Sequence, residues 1–180
     1  MTVNEIVKNV GTSKGGFYHH FSSKEELLFV IHDTFISYVL DKAIIANDTF
    51  NTPTKRLQAI LKSFVKVFDL YKPHIAVFYQ EYIYLNEHFE SLIKCKRNQF
   101  KNIITKVVYE GKRDGEFRQD LSVEITAMAI LGMVNWTYKW YKQSGENTID
   151  EIADIYIDLI LHAILRESQT KNEEYDQLLI

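Results

Sequence analysis

Residues 2–28 constrain this chain more than any other stretch: they read as two short helices hinged on a glycine, followed by the start of a third. Thr2 with Glu5 has the capping-box spacing, so a helix starts there. Val3, Ile6, Val7 and Val10 give that helix one apolar face. Gly11 can take the left-handed conformation that ends a helix and turns the chain. Ser13 caps the next helix, and Phe17 and Phe21, four apart, share its inner face. Lys14, Tyr18 and His19 then fall largely away from that face. A short helix with a buried aromatic edge and an outer face of Lys, Tyr and His suits the major groove of DNA.

Beyond this unit the chain reads as helices throughout, with clear punctuation. Ser23 and Glu26 make a capping box that opens a helix to about Ala46. Thr52-Pro53 is a cap followed by proline at the first helical position, and Pro73 starts the next helix. Asn86 is a break, after which a long helix runs to about Lys112. Gly115 is the pivot of the turn that follows. One further helix is expected over roughly 122–143, and Thr148 with Glu151 caps the last long one. The polar, acidic tail after Arg166 is expected to fray. With no strand-like alternation, the fold expected is all-α: a helix-turn-helix unit over 1–28 and a helical body over 29–180.

Charge and composition narrow the function. Net charge is −3, and residues 1–28 carry three lysines against three glutamates, which is low for a nucleic-acid binder. A single cysteine, Cys95, excludes an intrachain disulfide and fits a reducing cytosol. Its Lys-Cys-Lys setting leaves two readings, a plain surface thiol or a redox sensor with a lowered pKa. No apolar run is long enough to span a bilayer and no secretory signal is visible, so a cytoplasmic protein is expected. His19, His20, His32, His74, His88 and His162 form no metal motif, and the adjacent His19 and His20 are expected to diverge on a helix. Gly11-Thr-Ser-Lys-Gly-Gly lacks the order of a phosphate-binding loop, and there is no nucleophile elbow. Neither an enzyme nor a cofactor is expected.

The last two long helices are apolar on more than one face. Ile149, Ile152, Ile155, Ile157, Leu159, Ile160 and Ile164 cover most of one, and Ala127, Ile130, Leu131, Val134 and Tyr138 line the other. Such helices are buried on most sides, either in their own body or against a second protomer. In the middle of the chain, Phe64, Phe68, Phe78, Tyr79, Tyr82, Phe100 and Ile104 line three successive helices, joined by Trp136 and Trp140 from a fourth. Apolar walls with a few polar tips make small-molecule pockets, although an aromatic stripe at helical spacing is more often plain core. Asn135 is polar on a largely apolar helix, with two roles open: an interface hydrogen bond, or reading a ligand carbonyl. Lys94, Lys96, Arg97 and Lys101 form a basic cluster, either simply solvated or fit for phosphates.

The string Thr2, Ile6, Gly11, Ser13, Lys14, Gly15, Phe17, Tyr18, His20, Phe21, Lys24, Glu25 and Leu27 strongly resembles the DNA-binding domain of the TetR family of transcriptional regulators. Tyr18, Phe21 and Lys24 are its most diagnostic part. The resemblance implies that Lys14, Tyr18 and His19 approach bases while Thr2, Ser13, His20 and Lys24 contact phosphates. Gly15 and Gly16 then let the backbone come close to DNA. It also implies that 29–180 is a helical ligand-binding and dimerisation domain, with a homodimer through the last two long helices, a palindromic operator and a small apolar effector in a central pocket. The run from Gly132 to Tyr141 resembles members that answer fatty acyl-CoA or sterol-derived CoA thioesters. Family members begin with one more helix than this chain shows. A start assigned too late is therefore expected, so that the natural protein is an ordinary repressor. The alternative is a ligand-binding dimer that has lost DNA binding through loss of that helix.

Overall fold

The computed structural model describes residues 2–166, so the acidic tail lies outside the described residues. The described residues are helical, as expected. Two short helices, α1 (Val3–Val10) and α2 (Lys14–His20), precede the long α3 (Lys24–Thr49). Next come α4 (Pro53–Leu70), α5 (Lys72–Glu81), a 3-10 turn (Tyr82–Tyr84) and α6 (Glu87–Arg113). The chain continues with α7 (Val123–Asn135), α8 (Thr137–Trp140) and α9 (Ile149–Ile164).

The starts of these helices are local chemistry. Thr2, Ser13, Ser23, Thr52 and Thr148 each accept a hydrogen bond from a first-turn N–H, as expected of caps, and Asn86, expected only as a break, does the same. One box differs from expectation: the Glu26 carboxylate reaches back to the N–H of Ser22, at 2.6 Å, and to its hydroxyl. Because the backbone at Ser22 precedes the cap, this also pins the turn between α2 and α3.

The body is assembled around α4, which packs against α3 on one side and α9 on the other, while α6 closes the layer against α3 and α7. Leu57, Leu61 and Val65 of α4 are fully buried there. The boundary expected at residue 28 falls inside α3, which runs unbroken from the reader unit into the body. The α6–α7 turn is locked from below. Phe117 packs on Gly111, and the backbone on either side of it pairs antiparallel with the end of α9, Arg118 N–H to the Ile164 carbonyl at 2.9 Å and Arg166 N–H to the Glu116 carbonyl at 3.0 Å. Gly115 sits at φ 78°, the left-handed conformation expected of the pivot.

The helix expected over 122–143 is instead broken at Trp136. The Lys139 N–H bonds the Trp136 carbonyl three residues back, tightening the turn, and only the short α8 follows. Tertiary anchors account for the break. The Tyr141 hydroxyl donates to Asp69 on α4 at 2.7 Å, and Tyr138 stacks on Tyr79 of α5 with ring centroids 3.9 Å apart. Burial, helped by the Asp69 carboxylate, pushes the Tyr141 hydroxyl up to about 12, so it remains a donor.

Candidate functional site

The reader unit is built as its residues demand. The Thr2 hydroxyl accepts the Glu5 N–H at 3.3 Å while Glu5 returns a bond to the Thr2 N–H at 2.6 Å. Gly11 turns the chain at φ 73°, and the Ser13 hydroxyl accepts the Gly16 N–H at 3.0 Å. Phe17 is buried and meets Tyr18 edge to face. Lys14, Gly15, Tyr18, His19 and His20 stand exposed on one short helix. The two histidine rings do not diverge; they meet edge to face, 5.0 Å between centroids. Val10, expected on the inner face of α1, is exposed.

Lys24 is placed differently from expectation. Its Nζ lies 2.7 Å from a Glu81 carboxylate oxygen and 4.8 Å above the Tyr84 ring, so it ties the start of α3 to the end of α5. The carboxylate offsets part of the hydration that the half-buried ammonium gives up, through a charge-assisted hydrogen bond. The Lys24 hydrogen bond also holds the Glu81 carboxyl below its ordinary value.

Between α3, α4, α6 and α7 the body encloses a cavity of about 310 Å³, at the lower end of the roughly 300–1,000 Å³ of small-molecule sites. Five of the residues expected to line a pocket do so: Phe64, Phe68, Tyr79, Phe100 and Asn135. Five do not. Phe78 and Ile104 are wholly buried in the packing behind the wall, and Tyr82 lies on the 3-10 turn beyond α5. Trp136 and Trp140 are 61% and 44% exposed, because the break after Asn135 leaves both rings on the outer surface. Gly132, expected to admit a close helix approach, has open space where a side chain would project.

The α3 wall was missed from the sequence. His32, Phe35, Ile36 and Val39 all face the cavity, and their i, i+3, i+4, i+7 spacing is a signal that could have found them. Arg97 and Lys101, four apart on α6, also face it. Of the expected basic cluster only these two do: Lys94 pairs with Glu90 at 2.7 Å, and Lys96 with Asp33 and Ser37. The lysines flanking the exposed Cys95 are thus each held by a carboxylate. No carboxylate lines the cavity, and among the described residues neither Arg97 nor Lys101 has an ion-pair partner. Arg97 instead rests over the Phe78 ring, 5.3 Å from its centroid. The cavity is therefore apolar, with a cationic wall.

His32 is the other polar feature. It is 1% exposed, packed between Phe35 and Phe78 at 4.8 and 4.7 Å, and neither ring nitrogen has a hydrogen-bond partner in the protein. An unpartnered buried polar group costs about 1–3 kcal/mol. Burial pushes its pKa down from 6.5 to about 3, with the charges of Arg97 and Lys96 acting the same way. The unfolded chain binds a proton at this histidine below pH 6.5 and the folded one does not, so stability falls as pH drops through that window. Between pH 7 and pH 5 this amounts to about 2 kcal/mol. Urea unfolding of the parent and of His32→Phe at the two pH values checks it: the variant should lose the smaller amount, and equal losses would refute the assignment.

Three comparisons bear on these features. The family described as "Bacterial regulatory proteins, tetR family" matches residues 1–31, and "Tetracyclin repressor-like, C-terminal domain" matches residues 51–164. The transcriptional repressor KstR2 of Rhodococcus jostii (strain RHA1) is 29% identical over 168 residues, covering 91% of this chain and 80% of its own length. Among solved structures, KstR2 of Mycobacterium tuberculosis, described as a ketosteroid transcriptional regulator, aligns with TM-score 0.84 at 25% identity, covering 93% of this chain and 86% of its own. The TetR-family regulator PfmR of Thermus thermophilus aligns equally well, with TM-score 0.84, 25% identity and coverage of 90% and 88%.

Proposed function

Since the chain belongs to the TetR family of ligand-responsive transcriptional regulators, we propose that it is a dimeric repressor, released from a palindromic operator by an acyl effector in the central cavity. The observation that carries this reading is the course of α3. One unbroken helix starts at the reader, where Lys24 stands, and then supplies His32, Phe35, Ile36 and Val39 to the cavity wall. A ligand that favours one position of this helix shifts the spacing of two readers in a dimer, which is how a cavity remote from DNA changes affinity.

The acyl class rests on the lining. Phe35, Phe64, Phe68 and Phe100 suit an apolar chain, Asn135 suits its carbonyl, and Arg97 with Lys101 suit the phosphates of a CoA thioester at the mouth. The dimer rests on exposed apolar side chains of the last helices. Ile125 and Met128 of α7, Trp136 and Trp140 at and after its end, and Ile155 and Leu159 of α9 are exposed. Apolar side chains left exposed on the protomer at these helices fit a two-fold interface.

In this reading Lys14, Tyr18 and His19 meet bases, and Thr2, Ser13, Gly15 and His20 meet the backbone. Lys24 must exchange Glu81 for a phosphate to join them. Fluorescence anisotropy on DNA from the region upstream of the gene tests it, with and without medium-chain acyl-CoA. Binding that is lost on adding the thioester supports the repressor. Ligand binding without DNA binding supports instead a sensor dimer. Tyr18→Ala should weaken operator binding by roughly 10- to 100-fold, the loss of about 1–3 kcal/mol at one base contact. Unchanged affinity would remove Tyr18 from the DNA interface.

A further inference from the structure

Resting on the acyl-effector reading above, we infer that the effector carries a hydroxyl or carbonyl oxygen on its apolar body, and that His32 binds that oxygen. His32 lines the cavity and is buried, and both of its ring nitrogens lack a partner in the protein. Its neighbours Phe35 and Phe78 offer only ring faces and edges. A phenylalanine would fill the same aromatic niche with no polar group to satisfy, so the imidazole is explained by a partner that arrives from the cavity.

The chemistry of that partner follows from the ring. At neutral pH a deeply buried imidazole is uncharged, with one N–H donor and one bare nitrogen acceptor. A carbonyl takes the donor; a hydroxyl can use either nitrogen. A carboxylate is matched instead by Arg97 and Lys101, which line the same cavity. His32 and Arg97 both lie against the Phe78 ring, so the neutral oxygen and the anionic head are read in one enclosure. A plain saturated acyl chain would leave the imidazole unsatisfied. Polar sites of this kind discriminate strongly against analogues that lack the matching group.

The test is calorimetric titration of the full-length protein with octanoyl-CoA and with its mono-keto and mono-hydroxy derivatives, substituted at successive carbons. At least one substituted position should bind roughly tenfold tighter than octanoyl-CoA itself. In His32→Phe that preference of the substituted derivatives over octanoyl-CoA should vanish. His32→Gln, which keeps an amide donor and acceptor, should retain part of the preference, and it serves if the phenylalanine variant does not fold. Equal binding of every derivative by the parent overturns the inference, as expected of a histidine satisfied by trapped water. So does a preference that survives in His32→Phe. Failure of octanoyl-CoA and all its derivatives to bind the parent is a different pattern, and it overturns the acyl-effector reading together with this one.

Discussion

Phe117→Ala is expected to lower stability by about 3–5 kcal/mol, the cost of emptying a large buried aromatic site, and to lower Tm by roughly 10 °C. Phe117 is 0% exposed and stands where three helices are tied together. Its N–H donates to the Gly111 carbonyl at 2.9 Å, and its ring lies directly on Gly111 of α6. Beside it, the Glu116 carboxylate accepts the Thr54 N–H at 2.9 Å and the Thr54 hydroxyl at 2.5 Å, holding the start of α4. The chain at the end of α9 pairs antiparallel with Glu116, Phe117 and Arg118. Removal of the ring therefore leaves a void that none of these tethered elements can move to fill.

The partner residue gives a sharper result. Gly111 lies inside α6, where alanine is intrinsically better by about 1 kcal/mol. A side-chain carbon there would stand 2.2 Å from the Phe117 ring, far inside contact distance. Gly111→Ala should consequently destabilise the protein, and adding Phe117→Leu should recover much of the loss. Thermal and urea unfolding of the two single variants and the double variant measure this coupling. A Gly111→Ala protein more stable than its parent would show that the ring is free to shift.

Trp136→Asp is expected to make the protein monomeric at micromolar concentration. In the proposed two-fold dimer each substitution falls in the interface twice. At about 2 kcal/mol or more per central aromatic anchor, dimer affinity should fall at least roughly a thousandfold. Operator affinity should fall with it, since two linked readers act as one ligand for the palindrome. Sedimentation velocity and anisotropy read the two effects, and unfolding of the variant should show the intact core of a residue that is 61% exposed in the protomer. A Trp136→Asp protein that remains dimeric would move the interface off the α7–α8 junction.

The two tryptophans show where sequence reading stops. Trp136 and Trp140 fall in register with Gly132 and look like pocket lining if the helix continues to Gln143. The Tyr141–Asp69 bond and the Tyr79–Tyr138 stack break it first, and both rings end outside. Phe78 and Ile104 failed for the opposite reason. Their apolar faces were legible, but which of two buried layers each would enter depends on how α5 and α6 rotate against α3. The α3 wall carries a readable helical stripe, but a helix read only as a lever gives no reason to look for a wall on it.

What the sequence determined by itself was local. Caps at Thr2, Ser13, Thr52 and Thr148, the turn at Gly11 and the pivot at Gly115 depend on side chains bonding backbone within a few residues, and on glycine's access to positive φ. The outer face of α2 followed from helical period alone. Only the tertiary structure decided that Lys24 meets Glu81, 57 residues away, that two of four clustered cations face the cavity, and that His32 is buried without a partner. Each of these depends on which helix surfaces meet. That is settled by packing summed over the whole body, and no local spacing encodes it.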